Sequence, residues 1–351
     1  MSEDDAARTP SPRMRIGLAL DWGTERTTLD QLLKEYVPLI QLAERYGFDS
    51  LWVGQHFPTG PDMFHPPSPL LVLAAVAPHT GLMLGTGVLL LPLWNPITLA
   101  YEAAVLDQLC GGRLVLGVGI GRPRDWTKFG LPREVIGDRM DEMLAALRAL
   151  WSGADGYVGK TIAAPGAIWP RPIQPNGPPL WVGGSIGRAM RRAATLGEAW
   201  YAGSTHHLRV IGETTERYRS ALTAAGKDPN TARVAANRST VIADTTEQAW
   251  AEGGAYLEAL MHVYRRLGGG SMRLPNGETA TEGTEILPHI ADQVCLIGSP
   301  DDVSAQLEAY AVAGVTDVAL RVSVSDIPIE LARRSITLAG EHVLPRFARS
   351  E

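Results

Sequence analysis

Cysteine is almost missing from this chain: Cys110 and Cys295 are the two in 351 residues, and they lie far apart. Neither has the spacing of a metal knuckle or a disulfide framework, so a thiolate metal site and a disulfide scaffold are excluded and a reducing, cytoplasmic setting is expected. Residues 1–13 lack the apolar stretch that a signal peptide or a membrane span requires. Residues 1–13 are polar, carry Pro10 and Pro12, and read as a flexible leader. Blocks of one charge are also missing. Lys and Arg number 32 against 38 Asp and Glu, dispersed along the chain for a net charge of −6, which leaves no footprint for nucleic acid. Neither nucleic acid nor a membrane is an expected partner. No repeat or low-complexity tract is visible. What is present, 45% hydrophobic and 20% charged residues, is enough for one large core.

Short apolar runs bounded by turn residues alternate with longer amphipathic segments, the pattern of βα units around a parallel sheet. Strands are expected at Arg15–Leu20, Ser50–Gly54, Met83–Leu91, Leu114–Gly119, Leu180–Val182, Ala199–Tyr201, Val234–Ala243 and Val318–Val324. Helical pattern covers Leu29–Tyr46, Pro69–His79, Thr98–Cys110, Gly137–Ser152, Gly187–Leu196, Leu208–Ala225 and Asp302–Ala313. Eight such strands in a chain of this length match a closed (β/α)8 TIM barrel better than an open doubly wound sheet, with residues 14–351 forming one domain. The site then belongs at the C-terminal ends of the strands. Two stretches interrupt the rhythm, Tyr157–Pro179 and Leu267–His289, and the second, with Gly268-Gly269-Gly270, is the candidate lid.

Four clusters fall at strand ends. Trp52-Val53-Gly54-Gln55-His56-Phe57 offers a histidine that can exchange a proton near neutral pH or hydrogen-bond a cofactor, unless it is a supporting or surface residue. Gly85-Thr86-Gly87-Val88 puts glycines inside an apolar strand, either a bulge where something flat approaches the backbone or a packing device. Gly117-Val118-Gly119-Ile120-Gly121 leaves room for a ligand or makes a plain turn, and it is not a dinucleotide fingerprint. Trp181-Val182-Gly183-Gly184-Ser185, followed by Gly187 and Arg188, leads a strand into a helix N-terminus beside a guanidinium. That suits a phosphate, with an ordinary capped helix as the alternative.

Taken in order, these clusters resemble the bacterial-luciferase-like family of flavin-dependent monooxygenases and its deazaflavin-dependent oxidoreductase branch. The likeness runs from Arg15 to about Phe347 through Ala43-Glu44, Gly47-Phe48-Asp49-Ser50-Leu51-Trp52, Gly85–Pro92, Asn95-Pro96, Leu106-Asp107-Gln108-Leu109 and Gly111-Gly112-Arg113. It continues through Arg139 with Asp141-Glu142, Trp181–Ser185, Gly298-Ser299-Pro300 with Val303, and Gly314-Val315. The resemblance implies that His56 is the active-site histidine and that Gly87-Val88 forms a bulge, often a non-proline cis peptide, behind the flavin ring. It further implies that Asn95 approaches the polar edge of that ring, that Gly183, Gly184, Ser185 and Arg188 grip the cofactor phosphate, and that Leu267–His289 is a mobile loop. Two departures stand out. Gln55 takes a position usually held by Glu or Asp and cannot exchange a proton, and Gly119 and Ile120 replace a cysteine and an arginine of luciferase itself, so light emission is not expected.

By this resemblance the chain is expected to be an FMN-dependent monooxygenase, in which reduced FMN from a separate flavin reductase reacts with O2 and a peroxyflavin oxidises a small organic substrate. Trp22, Phe57, Trp94 and Trp126 are candidates for the substrate wall, with core packing as the alternative for each. The competing readings are hydride transfer with coenzyme F420 and a flavin-binding barrel without catalysis. A homodimer packed through the helices of the first half is expected from the same likeness, and no metal.

Overall fold

The computed structural model describes residues 14–23, 27–57, 66–267, 272–274, 278–324 and 326–348. The leader at 1–13 and the centre of the candidate lid lie outside the described residues. Eight strands close into a parallel barrel: β1 (Arg15–Ala19), β2 (Ser50–Val53), β3 (Met83–Leu90), β4 (Leu114–Gly119), β5 (Leu180–Gly183), β6 (Ala199–Ala202), β7 (Val234–Ile242) and β8 (Asp317–Arg321). Each pairs with its successor, and β8 closes on β1 with Arg15 opposite Asp317 and Ala19 opposite Arg321. The expected barrel is the observed fold. A ninth strand, Cys295–Gly298, was not foreseen. It pairs in parallel with Ser239–Ile242, the far half of β7, starting at the last residue that β8 reaches.

The helices form for local reasons. In α1 (Leu29–Arg45), Thr28 and Gln31 make a reciprocal capping box, and Leu32, Tyr36, Leu39, Ile40 and Ala43 recur at helical spacing on the buried side. After α2 (Pro69–Val76), α3 runs over Pro96–Leu109, two residues earlier than expected, because the Asn95 side chain accepts from the Ile97 and Thr98 N–H groups and Pro96 suits the first turn. A short α4 (Pro123–Lys128) precedes α5 (Arg133–Ser152). Next come α6 (Gly187–Thr195), α7 (Leu208–Ala224) and α8 (Thr246–Leu267), whose last turns reach the mouth of the barrel through Tyr264. Around the lid, Met272–Arg273 pairs antiparallel with Thr279–Ala280, and Leu287–Val294 is a helix that takes in the end of the expected loop. The Tyr157–Pro179 excursion opens with a hairpin, Gly156–Val158 against Ala163–Pro165, tied down by Glu142, which accepts from the N–H groups of Lys160, Thr161 and Ile162.

Inside the barrel Trp52, Trp181 and Tyr201 pack together with Val115, Ala235 and Ala319. Small residues on neighbouring strands make this layer fit: a Cβ at Gly85 would fall 2.4 Å from the Trp52 ring, and one at Gly17 would fall 2.2 Å from Ser50 Oγ. Below that layer Asp317 is held between Arg15 (2.7 Å) and Arg233 (2.8 Å), and Arg233 lies over the Trp181 ring. The N-terminal end is thus filled, and the cavity opens at the other end.

Candidate active site

The third strand departs from regular pairing at the position that its glycines indicate. Its register with β4 shifts between Thr86 and Leu89, and the Gly87-Val88 peptide is cis. Beside it, the end of β2 is tied on: the Gln55 N–H donates to Val88 O (3.3 Å), while Gln55 Oε1 accepts from Leu90 N–H (2.8 Å) and from the Trp94 indole (3.3 Å). Gln55 is therefore a strut that fixes the bulge, a role that an amide fills without exchanging a proton. Next along the chain, His56 is half-buried at the cavity wall.

The cavity has a volume of about 360 Å³, within the range of about 300–1,000 Å³ common for small-molecule sites. Its floor is short of side chains. Gly54, Gly87, Gly119, Gly183 and Gly184 all line it. A Cβ at Gly87 would meet Tyr201 Oη at 2.6 Å, and one at Gly119 would meet the Val88 side chain at 2.7 Å. Neighbouring side chains thus require glycine at Gly87 and Gly119 as they do at Gly85, and the difference is that Gly87 and Gly119 also line the cavity.

Burial, with the charges of Arg122, Arg321 and Arg124, lowers the His56 pKa to about 4. The imidazole is neutral at physiological pH and able to accept a proton. Tyr201, deep in the cavity, has its pKa raised by burial and stays a phenol. It interacts with Asn237, yet neither Tyr201 Oη nor Asn237 Oδ1 has a hydrogen bond of full geometry among the described residues. Arg238 is wholly buried and gives its donors to Tyr310 Oη (2.6 Å) and to the carbonyls of Ser204 (3.1 Å) and His206 (2.8 Å). It thereby fixes the 203–206 loop that forms one wall.

Of the residues singled out from the sequence, the cavity brings together His56, Gly87, Val88, Gly183, Gly184 and Trp22. Six other candidates lie outside its lining. Asn95 is exposed, its side-chain oxygen spent on capping α3. Arg188 pairs with Asp138 and with Asp141 (2.5 Å), and Arg192 shares Asp141, so Arg188 ties α6 to α5. Ser185 stands just outside the lining, in the turn that Trp200 steadies by donating to Gly184 O (2.6 Å). Phe57 packs edge-on against Phe129 at 4.7 Å, Trp94 bonds Gln55, and Trp126 donates to Ile120 O (2.7 Å). These three rings hold loops rather than line the cavity. Sequence reasoning passed over Tyr201, Asn237, Arg321 and Arg122. A usable signal existed for Arg321, a charged residue within the largely apolar run Val318–Val324.

Comparison with known proteins agrees with this architecture. A model of the luciferase-like monooxygenase family matches residues 14–317. The chain belongs to that family. Among its luciferase-like relatives is the oxygenase component of a flavin-dependent trigonelline monooxygenase from Acinetobacter baylyi, 25% identical, covering 97% of this chain and 96% of that one. The crystal structure of a Streptomyces bottropensis monooxygenase superposes with a TM-score of 0.82 at 26% identity, covering 95% of this chain and all of that one. A coenzyme F420-dependent tetrahydromethanopterin reductase from Methanopyrus kandleri shares the fold, with a TM-score of 0.75 at 20% identity over 96% of this chain and 100% of that one. The protein is thus an enzyme of the luciferase-like monooxygenase and oxidoreductase family. Among the described residues, no helix is long and apolar enough to cross a membrane.

Proposed function

We propose that the protein is an FMN-dependent monooxygenase: one atom of O2 enters a small organic substrate, the other leaves as water, and reduced FMN supplies two electrons. The observation that carries this reading is the floor at the β3 bulge, free of side chains at Gly87 and Gly119, with the neutral His56 at its edge. A flat ring system would fit against such a floor, and Tyr201 Oη, Asn237 Oδ1 and Arg122 Nη1, buried without a hydrogen bond of full geometry among the described residues, would meet its polar rim. Bound flavin supplies the reduced ring at which O2 is activated.

The chain's own residues bind, orient and exclude water. Gly87 and Val88 would back the ring, and Gly183, Gly184 and Ser185, before the N-terminus of α6, would take the phosphate through backbone N–H groups. Arg188 would add positive charge from its place between Asp138 and Asp141. His56 accepts a proton as its neutral imidazole, and Trp22 contributes an apolar wall. Reduced flavin would come from a separate reductase, as an oxygenase component requires. A second copy of the chain would cover α2 and α3, whose Leu71, Ile97, Tyr101, Val105 and Leu109 are exposed, the last four at intervals of four on one helix face. Sedimentation at micromolar concentration should give a dimer that Tyr101→Asp weakens; a wild-type monomer would exclude it.

The deciding experiment presents the purified protein with reduced FMN and, separately, reduced coenzyme F420, and follows binding and oxygen uptake. Tight FMN binding with oxygen consumption is expected. Binding of F420 alone, without oxygen uptake, would overturn the proposal.

A further inference from the structure

Arg321 ends β8 inside the cavity with its side chain only 10% exposed. A guanidinium has five N–H groups and no way to lose its charge in a protein. Here Nη2 donates to Ser239 Oγ (2.6 Å), Nη1 forms a long ion pair with Asp21 Oδ1 at 3.9 Å, and Tyr264 stands beside the group with its ring centre 5.7 Å from Cζ. Nε is buried without a hydrogen-bond partner among the described residues, and so is Nη1 of Arg122 in the same cavity. Two cations, one buried and one half-buried, therefore line one cavity, and each keeps an enclosed N–H that no described residue accepts. Of the carboxylates that share it, Asp125 directs Oδ2 to the Arg122 backbone N–H (2.9 Å), and Asp21 meets Arg321 at the ion-pair distance of 3.9 Å without a hydrogen bond to Nε. A buried donor left unmade is costly, and a charged one more so.

Position separates Arg321 from the glycine turn assigned to the cofactor phosphate. Around the ring, β8 adjoins β1, and β1 lies diametrically opposite β5, where Gly183–Ser185 stands. Arg321, Asp21 and Trp22 thus occupy the side of the mouth facing away from that turn, next to apolar Leu20. We propose that Arg321 anchors a carboxylate of the organic substrate, so that the enzyme acts on small organic acids with an apolar body. The reaction named rests on the monooxygenase reading; the binding preference does not.

The test is a panel of isosteric pairs (benzoate and benzamide, cyclohexanecarboxylate and cyclohexanecarboxamide, hexanoate and hexanamide), titrated into FMN-loaded protein and followed by tryptophan fluorescence, since Trp22 and Trp52 line the cavity. At least one carboxylate should bind about tenfold or more tightly than its amide, as a hydrogen bond to a charged partner implies. Arg321→Gln should abolish that preference, Arg321→Lys should retain part of it, and FMN affinity should stay within about twofold in both, because uniform binding of the cofactor does not use this side chain. Three results would overturn the inference: no carboxylate preferred over its amide in the wild type, a preference that survives Arg321→Gln, or an FMN affinity that falls with Arg321→Gln, which would make the cofactor phosphate the anion held there. The wild-type comparison needs no variant, so a misfolded Arg321→Gln leaves the inference testable. A protein that takes F420 instead of FMN yet still prefers carboxylates would refute the monooxygenase reading and leave this one standing.

Discussion

His56 shows how a single residue inherits its chemistry from its surroundings. Its place at the end of a barrel strand is legible in the sequence, but its neutrality is not, because the depressed pKa comes from burial and from arginines at 122, 124 and 321 that folding brings near. Replacement His56→Ala should lower turnover by about a hundredfold or more while FMN remains bound, read from steady-state rates beside a flavin titration. Unchanged turnover would favour a flavin carrier. A pH effect follows from His56 and His206 together, since both are depressed to about 4, His206 chiefly by burial and then by Arg238 and His207. The unfolded chain takes up protons on these histidines near pH 6.5, earlier than the folded one, so the stability they contribute is present above pH 6.5 and is lost as pH falls toward 4. His206 adds a structural reason: its Nδ1 accepts from the Gly203 N–H (3.2 Å), which a protonated Nδ1 cannot do. Thermal melts from pH 7.5 to 4 should show a falling midpoint, and substituting Gln for both histidines should flatten the slope.

At the level of elements, turns and caps decide more than single contacts. Asn95 was read by likeness as a flavin neighbour, whereas the helix that starts beside it uses its side chain as a cap. Asn95→Ala should therefore cost about 1 kcal/mol of stability, measured by urea unfolding, with little change in FMN affinity. Gly184 gives the converse case. It has φ of +125°, and a Cβ there would lie 2.8 Å from the Ala189 side chain at the start of α6. Gly184→Ala should displace the turn and weaken FMN binding by about tenfold, with a smaller effect on stability. The glycine-rich strand ends were legible because glycine inside an apolar run is conspicuous in one dimension. Which glycine packs against a tryptophan and which one faces a cavity depends on neighbouring strands, as Gly85 and Gly87 show.

On the scale of the whole molecule, barrel closure joins Arg15 and Asp317, about three hundred residues apart in the chain. Burial pushes the Asp317 carboxyl up, but Arg233 and Arg15 more than offset it and hold it below its usual value. Asp317→Ala leaves two guanidinium groups at the closed end without their carboxylate and should cost about 3–5 kcal/mol, seen as a lowered urea midpoint. The eight strands, their order and the position of the site at their C-terminal ends were all readable from local pattern, since period and turn chemistry act within a few residues. Tertiary structure alone decided the partners: that Arg188 spends its charge on Asp138 and Asp141, that Gln55 braces the bulge, that a ninth strand pairs with the far half of β7, and that Arg321 and Arg122 line one cavity. A polar group's partner is set by what lies within about 3 Å of it in space, and for these residues that neighbour comes from a distant part of the chain.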